Sequence, residues 1–178
     1  MKTSWFPVPA VFLLAAAGVY AQGSVSQASE VSNTATSAQA TVAIEQLMGQ
    51  YHQAVASHDS ARMSSMFVDQ GSTWFNVLSD AAYARARAKD PAASKIRHSS
   101  YQEFAKFLAS SHAALDPRHS NVRILTDGTV ASVYFNFVFL IDGKPENQGS
   151  ETWQLIKGTN GWKIAAITYS SNPAALAH

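Results

Sequence analysis

Residues 121–170 read NVRILTDGTVASVYFNFVFLIDGKPENQGSETWQLIKGTNGWKIAAITYS, four runs rich in β-branched and aromatic residues: Asn121 to Thr126, Thr129 to Ile141, Asn147 to Lys157 and Trp162 to Ser170. At the joins lie Asp127-Gly128, Asp142-Gly143 and Asn160-Gly161, dipeptides that supply the positive φ angles of tight hairpins. Hairpins in succession make an antiparallel meander. Long strands of this kind twist and curl, leaving one face that needs a cover.

Upstream the apolar period lengthens. Ile44, Leu47, Met48, Tyr51 and Val55 fall at helical spacing and predict a first helix ending near His58. Asp59 or Ser60 caps a short second helix with Met63, Met66 and Phe67 inward, and a strand from Thr73 to Leu78 follows Gly71. Ser100 and Glu103 form a capping box for a third helix with an apolar face of Phe104, Phe107 and Leu108. Three helices suffice to cover one sheet face. The expected fold is therefore α+β, a cone-shaped curved antiparallel sheet packed against three helices. Between strand and third helix, Asp80 to Arg97 reads as an insertion in which Ala81 to Lys89 favours helix and Asp90-Pro91 stops it. Its Arg85, Arg87, Lys89, Lys95 and Arg97 read first as a solvated face, and second as a lid supplying cations to an anionic ligand.

The N-terminus follows a different logic. Lys2 is the only charge before an apolar run from Val8 to Val19, and Val19-Tyr20-Ala21 presents small residues where a signal peptidase reads. That run falls well short of the roughly 20 apolar residues a membrane span needs. Residues 1–21 are expected to be a signal peptide, and the mature chain to be periplasmic or secreted. Gln22 to Ala40 is Ser, Thr, Ala and Gln with almost no large apolar side chain, which predicts a disordered linker. Residues 41–172 form the expected domain and 173–178 a tail. The chain has no Cys, so the domain stands on its core alone, at roughly 140 residues a common size for one domain. Without Lys2 the basic and acidic residues balance. A neutral chain gives no electrostatic case for binding nucleic acid, nor for a membrane once the leader is removed.

One acid stands out. On the strand Asn147 to Lys157, Glu151, Trp153 and Leu155 share one face, with Gln148, Ser150, Thr152 and Gln154 opposite. If Trp153 faces inward, the Glu151 carboxyl is desolvated and its pKa should rise. It is then either a site residue or a structural acid bonded to Tyr51 or Arg123. Trp74, Phe107, Trp153 and Tyr169 are the aromatic candidates for lining a pocket, being near element ends or beside polar groups. Val133, Phe135, Phe137, Phe139 and Ile141 form one stripe that reads as core. His52, His58, His98, His112 and His119 are scattered, read as surface or boundary residues, and show no metal-site spacing. No metal or cofactor is expected, and the nucleophile-elbow, phosphate-loop and dinucleotide patterns are absent.

The run from Ile44 through Asp59 to Phe67, the strand at Trp74, and the endings Glu151-Thr-Trp-Gln-Leu-Ile-Lys and Gly161-Trp-Lys-Ile-Ala resemble the nuclear transport factor 2-like superfamily, particularly its SnoaL-like bacterial exported members. The resemblance spans about 130 residues, from Val42 to Ser171. It implies a curved sheet wrapped on helices, a hydrophobic conical pocket at the wide end, often a homodimer, and functions ranging from isomerases, cyclases, epoxide hydrolases and dehydratases to non-catalytic binders. Within that superfamily, ketosteroid isomerase uses a Tyr, a protonated acid and an Asp base. By resemblance the Tyr matches Tyr51 and the acid Glu151, while the base position holds Phe75 with Asn76 beside it. The expectation is an exported domain binding a small apolar or aromatic molecule, with Tyr51 and Glu151 at its polar end. The alternative is a cofactor-independent isomerase, cyclase or lyase using Glu151 and Tyr51 as catalytic residues.

Overall fold

A computed structural model describes residues 23–176, with side chains from Thr36 to Ala175; the expected signal peptide lies outside the described residues. Helices α1 (Gly23–Ala56), α2 (Ser60–Ser64), α3 (Asp80–Lys89) and α4 (Tyr101–Ser110) accompany strands β1 (Thr73–Leu78), β2 (Ile96–Ser99), β3 (Leu115–Thr126), β4 (Val130–Ile141), β5 (Lys144–Gly158) and β6 (Gly161–Ser171). The expected α+β architecture is present.

Ile44, Leu47, Met48, Tyr51 and Val55 of α1 are all buried. The helix is stopped by His58, which takes φ +59°, a left-handed conformation that an α-helix cannot continue through. Asp59 then caps α2, its carboxylate accepting from the Arg62 N–H at 2.9 Å. At α4 both halves of the capping box form: Ser100 Oγ accepts from Glu103 N–H at 3.2 Å, and Glu103 Oε2 accepts from Ser100 N–H at 3.1 Å.

The stretch 22–40, expected as a disordered linker, is instead helical from Gly23 onward. Its Ala and Gln are strong helix formers that extend a helix already nucleated on the core. Ala40 is buried, and Thr36 packs so closely on the β3–β4 turn that a Cβ at Gly128 would lie 2.5 Å from Thr36 Cγ2.

The sheet order is β2-β1-β6-β5-β4-β3. From β3 to β6 it is the expected antiparallel meander, and Gly128, Asp142, Gly143 and Gly161 take the positive φ of its turns. Two details differ from expectation. The β1 strand joins β6 in parallel, so the sheet is mixed, and residues 96–99 of the supposed insertion form an extra edge strand on β1. Between β5 and β6 the backbones approach so closely at Gly149 that any Cβ would fall 2.1 Å from the Ser170 carbonyl oxygen. The core lies between α1, α2 and the inner sheet face, with Trp153, Phe135, Ile164, Ile167 and Leu155 essentially without accessible surface.

Candidate active site

Cα partners across neighbouring strands send their side chains to the same face of the sheet. Register therefore builds a row across four strands: Asn76 on β1, Tyr169 on β6, Glu151 on β5 and Phe135 on β4. The adjacent row is Trp74, Ile167, Trp153 and Val133. Beyond the first row the inner face opens into a cavity of about 390 Å³. Its apolar wall comes from Phe104 and Phe107 of α4 together with Pro117, Phe137, Phe139 and Ile141, while Tyr51, Trp74, Asn76, His119, Glu151 and Tyr169 bring polar atoms.

Glu151 stands at the boundary between core and cavity. One carboxylate oxygen, Oε1, accepts from the Trp153 indole N–H at 2.5 Å. Burial raises its pKa from 4.5 to about 7 despite that bond, because desolvation penalises the charged form more than one N–H stabilises it. Arg123, an expected structural partner, is not the residue that holds it. It pairs with Tyr134, whose hydroxyl donates to Ser150 Oγ on the outer face at 2.9 Å, so Arg123 belongs to that face. Trp153 does not line the cavity as expected. It is wholly buried behind Glu151, with Tyr51 packed edge-on at 5.0 Å and Phe135 at 5.4 Å.

Tyr51, delivered by α1, is buried, and its pKa is pushed up first by desolvation and then by the charges of Glu151 and Tyr169. The Tyr169 pKa is raised by burial and by Glu151, with Asn76, Arg97 and Trp74 pulling it back. The three groups thus share one electrostatic neighbourhood. Two buried atoms around it lack hydrogen-bond partners, Trp74 Nε1 and Asn76 Oδ1. Phe107 sits at the mouth, 38% exposed, stacked on Phe104 at 5.9 Å.

Of the six residues expected at a site, Tyr51, Glu151, Trp74, Phe107 and Tyr169 line one cavity, and Trp153 supports it from behind. Sequence reasoning missed two more. Asn76 faces the cavity, while Phe75, assigned by resemblance to the base position, faces the other way against His98 at 5.4 Å. Strand alternation from the buried Trp74 would have found Asn76. His119, read as a boundary residue, also lines the cavity and packs at a tilt against Phe135, 4.5 Å between ring centres. Burial, and secondarily the nearby His52, lower its pKa to about 4, so it is neutral at ordinary pH. A β-bulge between Ser120 and Arg123, with Asn121 at φ +53°, lies beside His119; bulges of this kind re-aim strand side chains next to sites and leave little sequence signal.

The basic insertion lies outside the cavity lining in this structure, with Arg97 alone acting on a lining residue, Tyr169. Helix α3 buries Ala82 and Ala86 on Leu78, Lys95 pairs with Asp80, and Arg85, Arg87 and Lys89 are outside the cavity lining. Among the described residues no group of three His, Asp or Glu gathers as a metal site would require, and no helix is long and apolar enough to cross a membrane.

The sequence matches the SnoaL-like domain family over residues 44–175, and the chain belongs to that family. Solved structures with the same fold include a nuclear transport factor 2-like protein of unknown function from Shewanella baltica (19% identity, 77% of this chain and 97% of that one, TM-score 0.55). A nuclear transport factor 2-like protein with a cystatin-like fold from Novosphingobium aromaticivorans is also similar (10% identity, 88% and 98% covered, TM-score 0.57). So is a protein from the same organism provisionally named a scytalone dehydratase (14% identity, 78% and 88% covered, TM-score 0.59). No curated protein matches the chain.

Proposed function

We propose that this SnoaL-like domain binds a small, largely apolar ring compound in its conical cavity, with Glu151 and Tyr51 orienting the polar end. The observation that carries this reading is the half-committed acid. Trp153 occupies one oxygen of Glu151, which leaves the other as hydrogen-bonding capacity at the edge of an apolar chamber. Such a chamber, with a few convergent polar groups and a perturbed carboxyl, is the usual form of a ligand site.

A second reading makes the same cavity a cofactor-independent isomerase, cyclase or lyase. Near pH 6 a protonated Glu151 and a neutral His119 line one chamber with opposite pKa shifts, the pairing from which acid and base roles are drawn. Asn76 stands near the place of the ketosteroid isomerase base and cannot accept a proton there. His119 would be the base and Glu151 the acid, with Tyr51 donating to a developing oxyanion.

Glu151→Gln separates a site acid from a structural one. The amide keeps the volume and still accepts from Trp153, so folding should be nearly intact. Stabilisation by a panel of small aromatic and carbonyl compounds should fall. Lowered melting with unaltered binding would retire Glu151 from the site.

We further propose export through residues 1–21, checked by N-terminal sequencing of mature protein, which should begin near Gln22. Exposed Val130 and Ile156, direct neighbours on the outer sheet face, support a homodimer. A monomeric mass at micromolar concentration would count against it.

A further inference from the structure

The cavity is chemically lopsided. Its α4 side is hydrocarbon, whereas its β1 side gathers polar groups with hydrogen-bonding capacity to spare. Trp74 is only 8% exposed, yet its indole N–H, which can only donate, has no partner. The Asn76 amide, two residues along the same strand, leaves its buried carbonyl oxygen Oδ1, an acceptor, unpaired. A half-turn about its Cβ–Cγ bond exchanges oxygen for NH₂, so it can present a donor when one is needed. The Tyr169 hydroxyl lies beside both, near enough for each to favour its ionised form, yet neither Trp74 Nε1 nor Asn76 Oδ1 meets hydrogen-bond geometry with it. An unpaired buried donor costs about 1–3 kcal/mol. One such donor at a cavity wall, beside an amide able to turn its NH₂ to the same point, marks the place of a missing acceptor.

The row that contains these groups continues one strand further. Arg97 on β2 is the register partner of Asn76, so its side chain leaves the sheet on the cavity side, and its charge reaches the Tyr169 hydroxyl. Arg97 is exposed and stands just outside the lining. It makes no ion pair among the described residues. It therefore contributes positive potential to the donor corner without a competing internal carboxylate.

Resting on the reading of the cavity as a ligand site, we propose that this corner takes a carboxylate and that the ligand is an aromatic or alicyclic carboxylic acid. The ring body would lie against Phe104, Phe137 and Phe139. The two oxygens would accept from Trp74 Nε1, the Asn76 amide and the Tyr169 hydroxyl, with Arg97 neutralising the charge. The charged or titratable groups facing this position are Arg97 from β2, Tyr169 from β6, Glu151 from β5, Tyr51 from α1 and His119 from β3. Glu146, also in the lining, is an exposed acid at the far end of β5. At pH 6 Glu151 is mostly protonated and His119 is neutral, so Arg97 is the dominant charge at the corner.

The test compares 2-naphthoate with 2-naphthalenemethanol, matched in shape and differing in charge, by calorimetric titration at pH 6. The acid should bind about tenfold tighter or better, as a charge-assisted set of hydrogen bonds requires. Arg97→Gln lies on an exposed edge strand, and Trp74→Phe keeps the stack on Phe67 at 5.7 Å, so both variants should fold. Arg97→Gln should lose several-fold in naphthoate affinity and leave the alcohol within about twofold of the parent, while Trp74→Phe should weaken naphthoate more than it weakens the alcohol. Equal or tighter binding of the alcohol, or naphthoate affinity unmoved in both variants, overturns the carboxylate subsite while leaving the ligand cavity standing. Binding of neither compound to the parent protein overturns the subsite and the cavity reading together.

Discussion

Val133 and Phe135 on β4 are sealed against Trp153, whereas Phe139 and Ile141, two and three alternations further along the same strand face, are wall residues of an open cavity. The apolar stripe is continuous across both regions, with Phe137 at the boundary. What differs is the cover. Over the sealed end Tyr51 of α1 packs on Trp153 at 5.0 Å; at the open end α4 meets Phe139 edge-on through Phe104 at 6.3 Å, and both of those rings line the cavity. A period-two pattern says which way a side chain points and not whether anything meets it. The lone acid sits where the two regions join, so its carboxyl is desolvated from the core side and reachable from the cavity side.

The contrast can be broken most forcefully by truncation. Phe135→Ala should cost about 3–5 kcal/mol, because a sealed site cannot collapse onto the void. Phe139→Ala, with water already admitted on one side, should cost less than half as much. Denaturant unfolding of the two variants measures the difference, and equal costs would mean that the open end is in truth closed.

A second effect of about 3 kcal/mol is electrostatic and should be hidden in the parent protein. The pKa of Glu151 is raised from 4.5 to about 7, so the folded state holds the extra proton and stability falls as pH climbs through that window. His119 is lowered from 6.5 to about 4, so here the unfolded state holds the extra proton and stability rises with pH. Between pH 4.5 and 6.5 the two slopes oppose each other. Glu151→Gln should expose a rising slope and His119→Gln a falling one, each of up to about 1.4 kcal/mol per pH unit, read as melting temperature against pH. Parallel profiles for both variants would show that the two groups are not desolvated as described.

The smallest effect belongs to the mouth. Phe107→Ala removes a half-exposed ring whose described aromatic contact is Phe104, and should cost about 1 kcal/mol or less. It should nevertheless speed ligand exchange. A large loss of stability would mean that Phe107 plugs the cavity instead of bordering it.

Most of the fold was legible because its signals are local. Turn dipeptides at Asp127, Asp142 and Asn160, the Ser100–Glu103 box and the stripe on α1 each act within a few residues. The β2 strand was not legible, since Ile96–Ser99 has little apolar character and earns its place only by pairing with β1. The helical run after Gly23 was missed for the opposite reason: composition forbade independent order, and the core supplied it. At the site, Glu151, Tyr51, Trp74 and Tyr169 could be named because polarity at an inward position is conspicuous. His119 could not, because the sequence pattern starts that strand at Asn121, at the bulge, whereas β3 begins at Leu115 and carries His119 in register with Phe137. Trp153 was named for the right strand face and the wrong depth.

The parallel junction of β1 with β6 has a bearing on how the domain is acquired in time. Each meander hairpin closes a short loop and can form early, but Asn76 and Tyr169 come from opposite ends of the domain, and their row exists only once the last strand has docked beside the first. The chamber is therefore strongly non-local, and its row of polar groups is complete only when β6 has docked on β1. A chain interrupted between β5 and β6 can hold a curled three-stranded ribbon of β3, β4 and β5 and still lack the row that joins Asn76 to Glu151.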